Sequence, residues 1–208
     1  MPPRKKFTRE EMIAAGLRIV RARGIEALTA KAMSIELNTS TQPVFTCFGT
    51  MDVLRSEVRA AAQAIYDGYA MAGLRQEVPM LGYGMQYIRF AREEPQLYRL
   101  LFLTAPETCS SGVMEAMRHS GQVVVPVMAQ IYRISEQDAI VYFRSMWLAV
   151  HSLSTLIVTG SCPYTDAQIR QMLTGFSLST CKAIKEIPGF ASGDYDTDAL
   201  FRALTGRD

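Results

Sequence analysis

The stretch that decides the fold is residues 28–54, LTAKAMSIELNTSTQPVFTCFGTMDVL. It contains a short helical segment, a polar break at Asn38-Thr39-Ser40, a second short helical segment and the start of another helix. Asn38 suits a left-handed position at a helix end, and Ser40 is expected to cap the next helix, over residues 41–47. Pro43 falls in the first turn, where the N–H that proline lacks would have no intrahelical partner. Two short helices joined by such a turn predict a helix-turn-helix.

The flanking sequence predicts a helix on either side of this motif. Thr8-Arg9-Glu10-Glu11 has the sequence of a capping box. Apolar residues then recur at helical spacing until Gly24 ends the helix. Thr29 is expected to cap the second helix, and a long fourth helix is expected over residues 51–74. The N-terminal part therefore predicts a three-helix unit followed by a long helix.

The remainder of the chain also has the periodicity of helices. Segments are predicted at residues 79–94, 95–103, 113–133, 135–159 and 166–187, with a short helix near the C terminus. Pro126 is expected to mark a kink or a boundary, and residues 188–198 are expected to form a linker. No strand alternation or internal repeat is visible in the sequence. The predicted fold is all-α, with a helix-turn-helix domain at residues 1–52 and a larger helical bundle at residues 53–208.

Composition narrows the class of protein. The 208 residues carry a net charge of +2, but residues 1–60 hold ten Lys or Arg against six Asp or Glu. This imbalance fits nucleic-acid binding by one end of the chain. The four cysteines have no metal-binding or disulfide-type spacing, which indicates reduced thiols in a cytosolic protein. No signal peptide is evident, and the apolar segment at residues 147–158 is too short to span a bilayer. We therefore expect a cytoplasmic protein with no membrane partner.

The N-terminal residues resemble the TetR family of bacterial transcription regulators. The resemblance is carried by Ile13-x3-Leu17, Gly24, Leu28-Thr29, Ser40-Thr41-Gln42-Pro43-Val44-Phe45-x2-Phe48 and Asp52-x-Leu54. In the C-terminal part, FRSMWLAVHSL at residues 143–153 is similar to the Trp-x3-His-Gly signature of one subtype, with Ser152 in place of the glycine. Residues 88–102 are similar to the segment that accompanies this signature.

The resemblance implies an all-α homodimer that binds double-stranded DNA through its N-terminal domains. The C-terminal domain would dimerise and often holds a small-molecule effector, whose binding usually releases DNA. Phe45, Cys47 and Met51 occupy positions where the family often has Tyr, His and Lys that touch phosphates. Because phosphate contacts supply affinity that does not depend on sequence, these three residues predict weaker non-specific binding than is typical of the family.

The second helix of the motif supplies the candidate DNA-binding residues. Thr41, Gln42 and Thr46 have exposed-type side chains, and the amide of Gln42 can pair bidentately with adenine. Ser40 could offer its hydroxyl to a phosphate in addition to its capping role. The alternative is a solvated polar face on a short surface helix. Val44, Phe45 and Phe48 are expected to lie in the core.

Positive charges near the motif have two interpretations each. Arg4, Lys5 and Lys6 form an arm that can reach the DNA backbone or minor groove, or they form a solubilising tail. Lys31 on the second helix could contact a phosphate or face water.

The larger domain is rich in methionine and aromatic residues, which suit an adaptable site for an apolar small molecule. They are equally expected in an ordinary core. His151 is interpreted as a core histidine beside Trp147, or alternatively as a hydrogen-bonding group for a ligand. The candidate effector-binding residues are Tyr98, Phe102, Met117, Met128, Phe143, Trp147 and His151.

No constellation for catalysis is found in the sequence. The two histidines, His119 and His151, lack partners at metal-ligand spacing, and no phosphate-binding glycine loop or nucleophile–base pattern is present. We therefore expect no metal, no cofactor and no enzyme activity. The predicted function is a ligand-responsive repressor that binds a palindromic operator as a homodimer. Helices near residues 136–159 and 166–187 would form the dimer surface.

Two alternatives to the repressor stay open. One is a ligand-binding or protein-interaction module on the same scaffold with weak or lost DNA binding, which Phe45, Cys47 and Met51 would explain. The other is a helical enzyme that uses His151 with a thiol or a carboxylate.

Overall fold

The computed structural model describes residues 7–104 and 112–206, and within them the chain is helical and contains no strand. This confirms the predicted all-α fold. A 3₁₀ turn at Ile25–Ala27 follows α1, and a π-helical segment at Arg99–Leu103 follows α6. The α-helices are α1 (Arg9–Arg23), α2 (Ala30–Glu36), α3 (Gln42–Phe48), α4 (Met51–Leu74), α5 (Pro79–Glu93), α6 (Pro95–Tyr98), α7 (Gly112–Tyr132), α8 (Glu136–Val158), α9 (Asp166–Glu186) and α10 (Thr197–Thr205).

By packing, the chain divides into two compact units. The first falls within residues 1–116 and 153–163, and the second within residues 117–152 and 164–208. The first three helices thus belong to the same unit as α4 to α6, because α1 and α5 both pack against α4. The functional boundary expected near residue 52 therefore stays a prediction.

Local capping explains where the first helices begin. Thr8 and Glu11 form the predicted capping box, with hydrogen bonds of 2.9 and 3.1 Å between side chain and backbone. The Thr29 hydroxyl accepts a hydrogen bond from the Ala32 N–H at 3.1 Å, which confirms the predicted cap of α2. Asn38 has φ 49°, the left-handed conformation predicted for it.

The predicted cap of α3 by Ser40 is wrong. Helix α3 begins at Gln42, Thr41 occupies the cap position, and the Thr41 side chain makes no capping hydrogen bond. Thr41 already has a right-handed helical backbone (φ −73°, ψ −18°). The helical conformation therefore begins after Ser40, and the side chain of Ser40 stays exposed.

Helix α3 buries one side against the rest of the first unit. Val44 and Phe48 are one helical turn apart and have 0% and 5% exposure, which confirms their predicted core positions. Phe45 is 44% exposed, so the prediction that it lies in the core is wrong. The reason is geometric, since adjacent residues of a helix point about 100° apart and a seven-residue helix has only one covered side.

A close helix crossing and an aromatic cluster hold α4 and α5 together. Gly73 of α4 meets Gly82 of α5 so closely that a Cβ atom on Gly73 would lie 2.6 Å from the Tyr83 Cα. The aromatic cluster is centred on Tyr66, whose ring makes edge contacts 5.1–5.5 Å from the rings of Tyr87, Phe90 and Phe102. The Tyr66 and Tyr83 hydroxyls are 2.8 Å apart and hydrogen-bonded. These contacts pack α4, α5 and the π-helical segment together within the first unit.

The second unit contains most of α7 and α8 together with α9 and α10. Pro126 was predicted to mark a kink or a boundary; it marks no boundary, because α7 is continuous through this residue, and the kink stays a prediction. Pro126 is exposed, so water can hydrate the carbonyl that the missing N–H leaves without a partner. Thr165 and Gln168 form a capping box at the start of α9. A hydrogen bond between the Tyr142 and Ser177 hydroxyls joins α8 to α9.

Helix α8 is, among the described residues, the one helix long and apolar enough to cross a membrane by length and composition. Its apolar window has a mean hydropathy of 1.2, and 44% of the window is buried inside the protein. Core helices of soluble proteins meet the same criterion. The helix is therefore weak evidence for a membrane span.

Candidate nucleic-acid interface

Helix α3 and the two residues before it carry four of the eight residues predicted to touch DNA. Gln42 and Thr46 are exposed, Ser40 is exposed just before the helix, and Thr41 is half-buried. The Thr46 hydroxyl donates a hydrogen bond to the Gln42 carbonyl oxygen at 2.9 Å. Phe45, which was expected in the core, joins this side. The side opposite Val44 and Phe48 is therefore free to meet a partner.

Arg9 holds α3 in place and was not identified from the sequence. Its Nη1 donates a hydrogen bond to the Cys47 carbonyl at 3.1 Å, and its Nη2 lies 2.7 Å from the Glu57 carboxylate. Its guanidinium also lies 4.6 Å from the centroid of the Phe48 ring. A carbonyl in the last turn of a helix has no intrahelical partner, so this bond satisfies an end of α3. Arg9 thereby ties α3 to α1 and α4.

Ion pairs engage four of the ten lysines and arginines in residues 1–60. Four arginines of this region have a carboxylate partner at 2.6–2.9 Å. Lys31 is exposed on α2, and the arm of Arg4, Lys5 and Lys6 lies outside the described residues. Electrostatic attraction to phosphates would therefore depend mainly on the cations outside these ion pairs. The ion pairs are Arg9–Glu57, Arg18–Glu36, Arg21–Glu94 and Arg55–Asp52.

One of these pairs connects α1 to the junction of α5 and α6. Arg21 Nε and Nη2 donate to the two carboxylate oxygens of Glu94 at 2.9 and 2.7 Å. The hydrogen bond with Glu94 raises the pKa of Arg21, and the fork geometry fixes the orientation of both groups. No local pattern indicates this pair, because its members are 73 residues apart.

The seven candidate effector residues are divided between the two units. Tyr98 and Phe102 lie in the first unit, buried and with ring centroids 5.0 Å apart. The Tyr98 hydroxyl is 3.2 Å from that of Thr155, and burial raises the pKa of Tyr98 to about 12. These two rings belong to the aromatic core of that unit.

The other five candidates lie in the second unit. Trp147 and His151 stack with ring centroids 4.8 Å apart and nearly parallel planes. Burial lowers the pKa of His151, which favours the neutral form of the imidazole. Met128 and Phe143 are buried, and Met117 is half-buried. The stacked pair and the buried side chains are compatible with a core role, and their role towards a ligand stays a prediction.

The second unit also has an open groove that sequence reasoning did not anticipate. Its volume is about 760 Å³, and it lies between the end of α9 and α10, within the usual range for small-molecule sites. Its walls are mostly apolar, with Lys182 and Glu186 among them. The apolar lining includes Ile187, Phe190, Tyr195, Leu200, Phe201 and Leu204.

Comparison with known proteins bears on the C-terminal part of the chain. Residues 80–176 match the family model described as the tetracycline repressor-like C-terminal domain. A search of curated proteins gave no match. The matched residues lie outside the helix-turn-helix, so they are independent of the N-terminal motif that resembles the same family. Residues 80–176 are thus similar to a tetracycline repressor-like C-terminal domain, and this match, with the all-α architecture, supports the resemblance to the TetR family.

Proposed function

We propose that the chain is a cytoplasmic, non-enzymatic, ligand-responsive repressor that binds a palindromic operator as a homodimer. The observation that carries this proposal is the two-sided character of α3. Val44 and Phe48 anchor one side, while Gln42, Phe45 and Thr46 lie on the other, where a major groove could receive them. Recognition helices of helix-turn-helix proteins dock in this way.

Exposed apolar side chains on α8 and α9 support the homodimer. Ile140 and Leu148 of α8 and Phe176 and Leu178 of α9 are 40–66% exposed. Apolar surface exposed on long helices is typical of an interface where it forms a patch, and an isologous contact would pair each helix with its copy. A dimer would place two α3 helices about 34–36 Å apart, to enter successive major grooves.

The Arg21–Glu94 pair supports a mechanism by which effector binding would change DNA binding. Glu94 lies where α5 ends and α6 begins, next to the segment that carries Tyr98 and Phe102. An effector that contacts these rings and displaces α6 would also displace α1, because the ion pair joins the two helices. Such a ligand would favour one of two α1 positions and so change the spacing of the recognition helices.

A mobility-shift assay at low salt with fragments of the native locus tests the proposal. Wild type should bind a fragment, and Gln42→Ala should lose about 10-fold or more, because a bidentate contact to a base contributes about 1–3 kcal/mol. Gln130→Ala, an exposed glutamine on α7, is the matched control and should bind like wild type.

Two results would count against the proposal. If Gln42→Ala bound as tightly as wild type, α3 would not read bases through its amide. If no fragment bound at low salt, the repressor would be excluded. The ligand-binding or protein-interaction module would then be the better account.

A further inference from the structure

The exposed side of α3 has a chemistry that selects among base pairs. Residues 42–48, QPVFTCF, include no charged side chain. Guanine is read in the major groove by Arg or Lys at its O6 and N7 acceptors, and cytosine by Asp or Glu at its N4 donor. Helix α3 offers none of these groups. It therefore lacks the usual means of selecting a G·C pair.

What α3 does offer is one amide and an apolar surface. Phe45 and Thr46 follow Gln42 by three and four residues, so the three side chains share one side of the helix. The Phe45 ring is 44% exposed and has no hydroxyl for a phosphate. The Thr46 hydroxyl hydrogen is engaged by the Gln42 carbonyl at 2.9 Å, which leaves its methyl group and an acceptor oxygen for a partner.

We infer that α3 recognises a half-site core of A·T pairs, with thymine C5-methyl groups against Phe45 and Thr46. Thymine is the base that presents an apolar group in the major groove, and adenine is the base whose N6 and N7 match a glutamine amide. The inference rests on the proposed function, because it requires α3 to enter the major groove.

The test removes single methyl groups from DNA and leaves the protein unchanged. Duplexes are first selected from a random-sequence library by the full chain at low salt. Each thymine of a selected half-site is then replaced by deoxyuridine, which lacks only the C5 methyl. We expect each contacted position to weaken binding about fourfold, the effect of about one buried methylene-sized group. Deoxyuridine in the flanking sequence should have no effect.

Two protein variants assign the effect to Phe45. Phe45→Ala should lose the discrimination between thymine and deoxyuridine at the positions that Phe45 contacts and keep it at those that Thr46 contacts. Met71→Ala removes another exposed apolar side chain, on α4 and about 30 Å along that helix from its first residue. It should keep the full discrimination.

The outcomes separate this inference from the proposed function. Selected half-sites built of G·C pairs, or deoxyuridine duplexes that bind as tightly as thymine duplexes, would overturn the inference and leave DNA binding intact. Full discrimination by Phe45→Ala would overturn the role of Phe45. Failure to select any duplex would instead overturn the proposed function.

Discussion

Replacing Gly73 by alanine should destabilise the protein, although alanine is the better helix former. A Cβ atom at this position would lie 2.6 Å from the Tyr83 Cα and 2.7 Å from the carbonyl carbon and oxygen of Gly82. All three are backbone atoms, so no side-chain rotation can relieve the contact. Ordinary contacts of a Cβ begin near 3.4 Å; α4 and α5 must therefore separate by about 1 Å.

The size of the effect follows from two opposing contributions. Overpacking of this kind lowers the free energy of unfolding by about 3 kcal/mol, and the higher helix propensity of alanine raises it by about 1 kcal/mol. The net loss is about 2 kcal/mol, which for a chain of this length lowers the Tm by about 4–8 °C. Gly68 lies on the same helix, and a Cβ atom added there would meet nothing within 4 Å. Gly68→Ala should therefore gain about 1 kcal/mol and raise the Tm by about 2–4 °C.

The assay is thermal unfolding followed by circular dichroism, with all variants at one protein concentration because dimerisation would make the Tm concentration-dependent. Urea unfolding supplies the free energy independently. The reasoning would be refuted if Gly73→Ala were as stable as Gly68→Ala, because the two changes differ only in what surrounds the new methyl group.

Three further predictions concern charge, pH and assembly. Lys31→Ala should reduce the slope of log affinity against log salt by about 1 for each protomer whose Lys31 meets a phosphate; an unchanged slope would place Lys31 in solvent. Burial lowers the pKa of His151 in the folded protein below its ordinary 6.5. As the pH falls through 6.5, the unfolded chain therefore binds more protons than the folded chain, and the folded state loses stability. His151→Gln should therefore lose less Tm than wild type between about pH 7 and about pH 5, and equal losses would contradict this. Leu178 is 66% exposed on α9, so Leu178→Glu should fold normally but sediment as a monomer, and an intact dimer would exclude this surface.

Features set by neighbours in the chain could be predicted from the sequence. The capping boxes at Thr8 and Thr165, the left-handed Asn38 and the bounds of α4 all depend on residues within a few positions. Such local interactions act in the same way wherever the segment is placed. The all-α fold follows from the same periodicity and was predicted with them.

Features set by distant contacts could not be predicted. Arg9 and Arg21 find their partners 38 to 73 residues away, and no local pattern indicates which carboxylate or carbonyl each will meet. The close approach of Gly73 to Gly82 depends on how α4 and α5 cross, which helical periodicity does not reveal. Phe45 was misplaced for the same reason, since apolarity does not tell which side of a short helix is covered.

Footprinting of a bound operator tests the central claim most directly, because it reports both the use of α3 and the two-fold assembly. Hydroxyl-radical cleavage of a selected duplex should reveal two protected segments related by a dyad, with their centres about 10–10.5 base pairs apart. Gln42→Ala should lose both segments together. A single protected segment, or protection that Gln42→Ala leaves unchanged, would contradict a homodimer that reads DNA through α3.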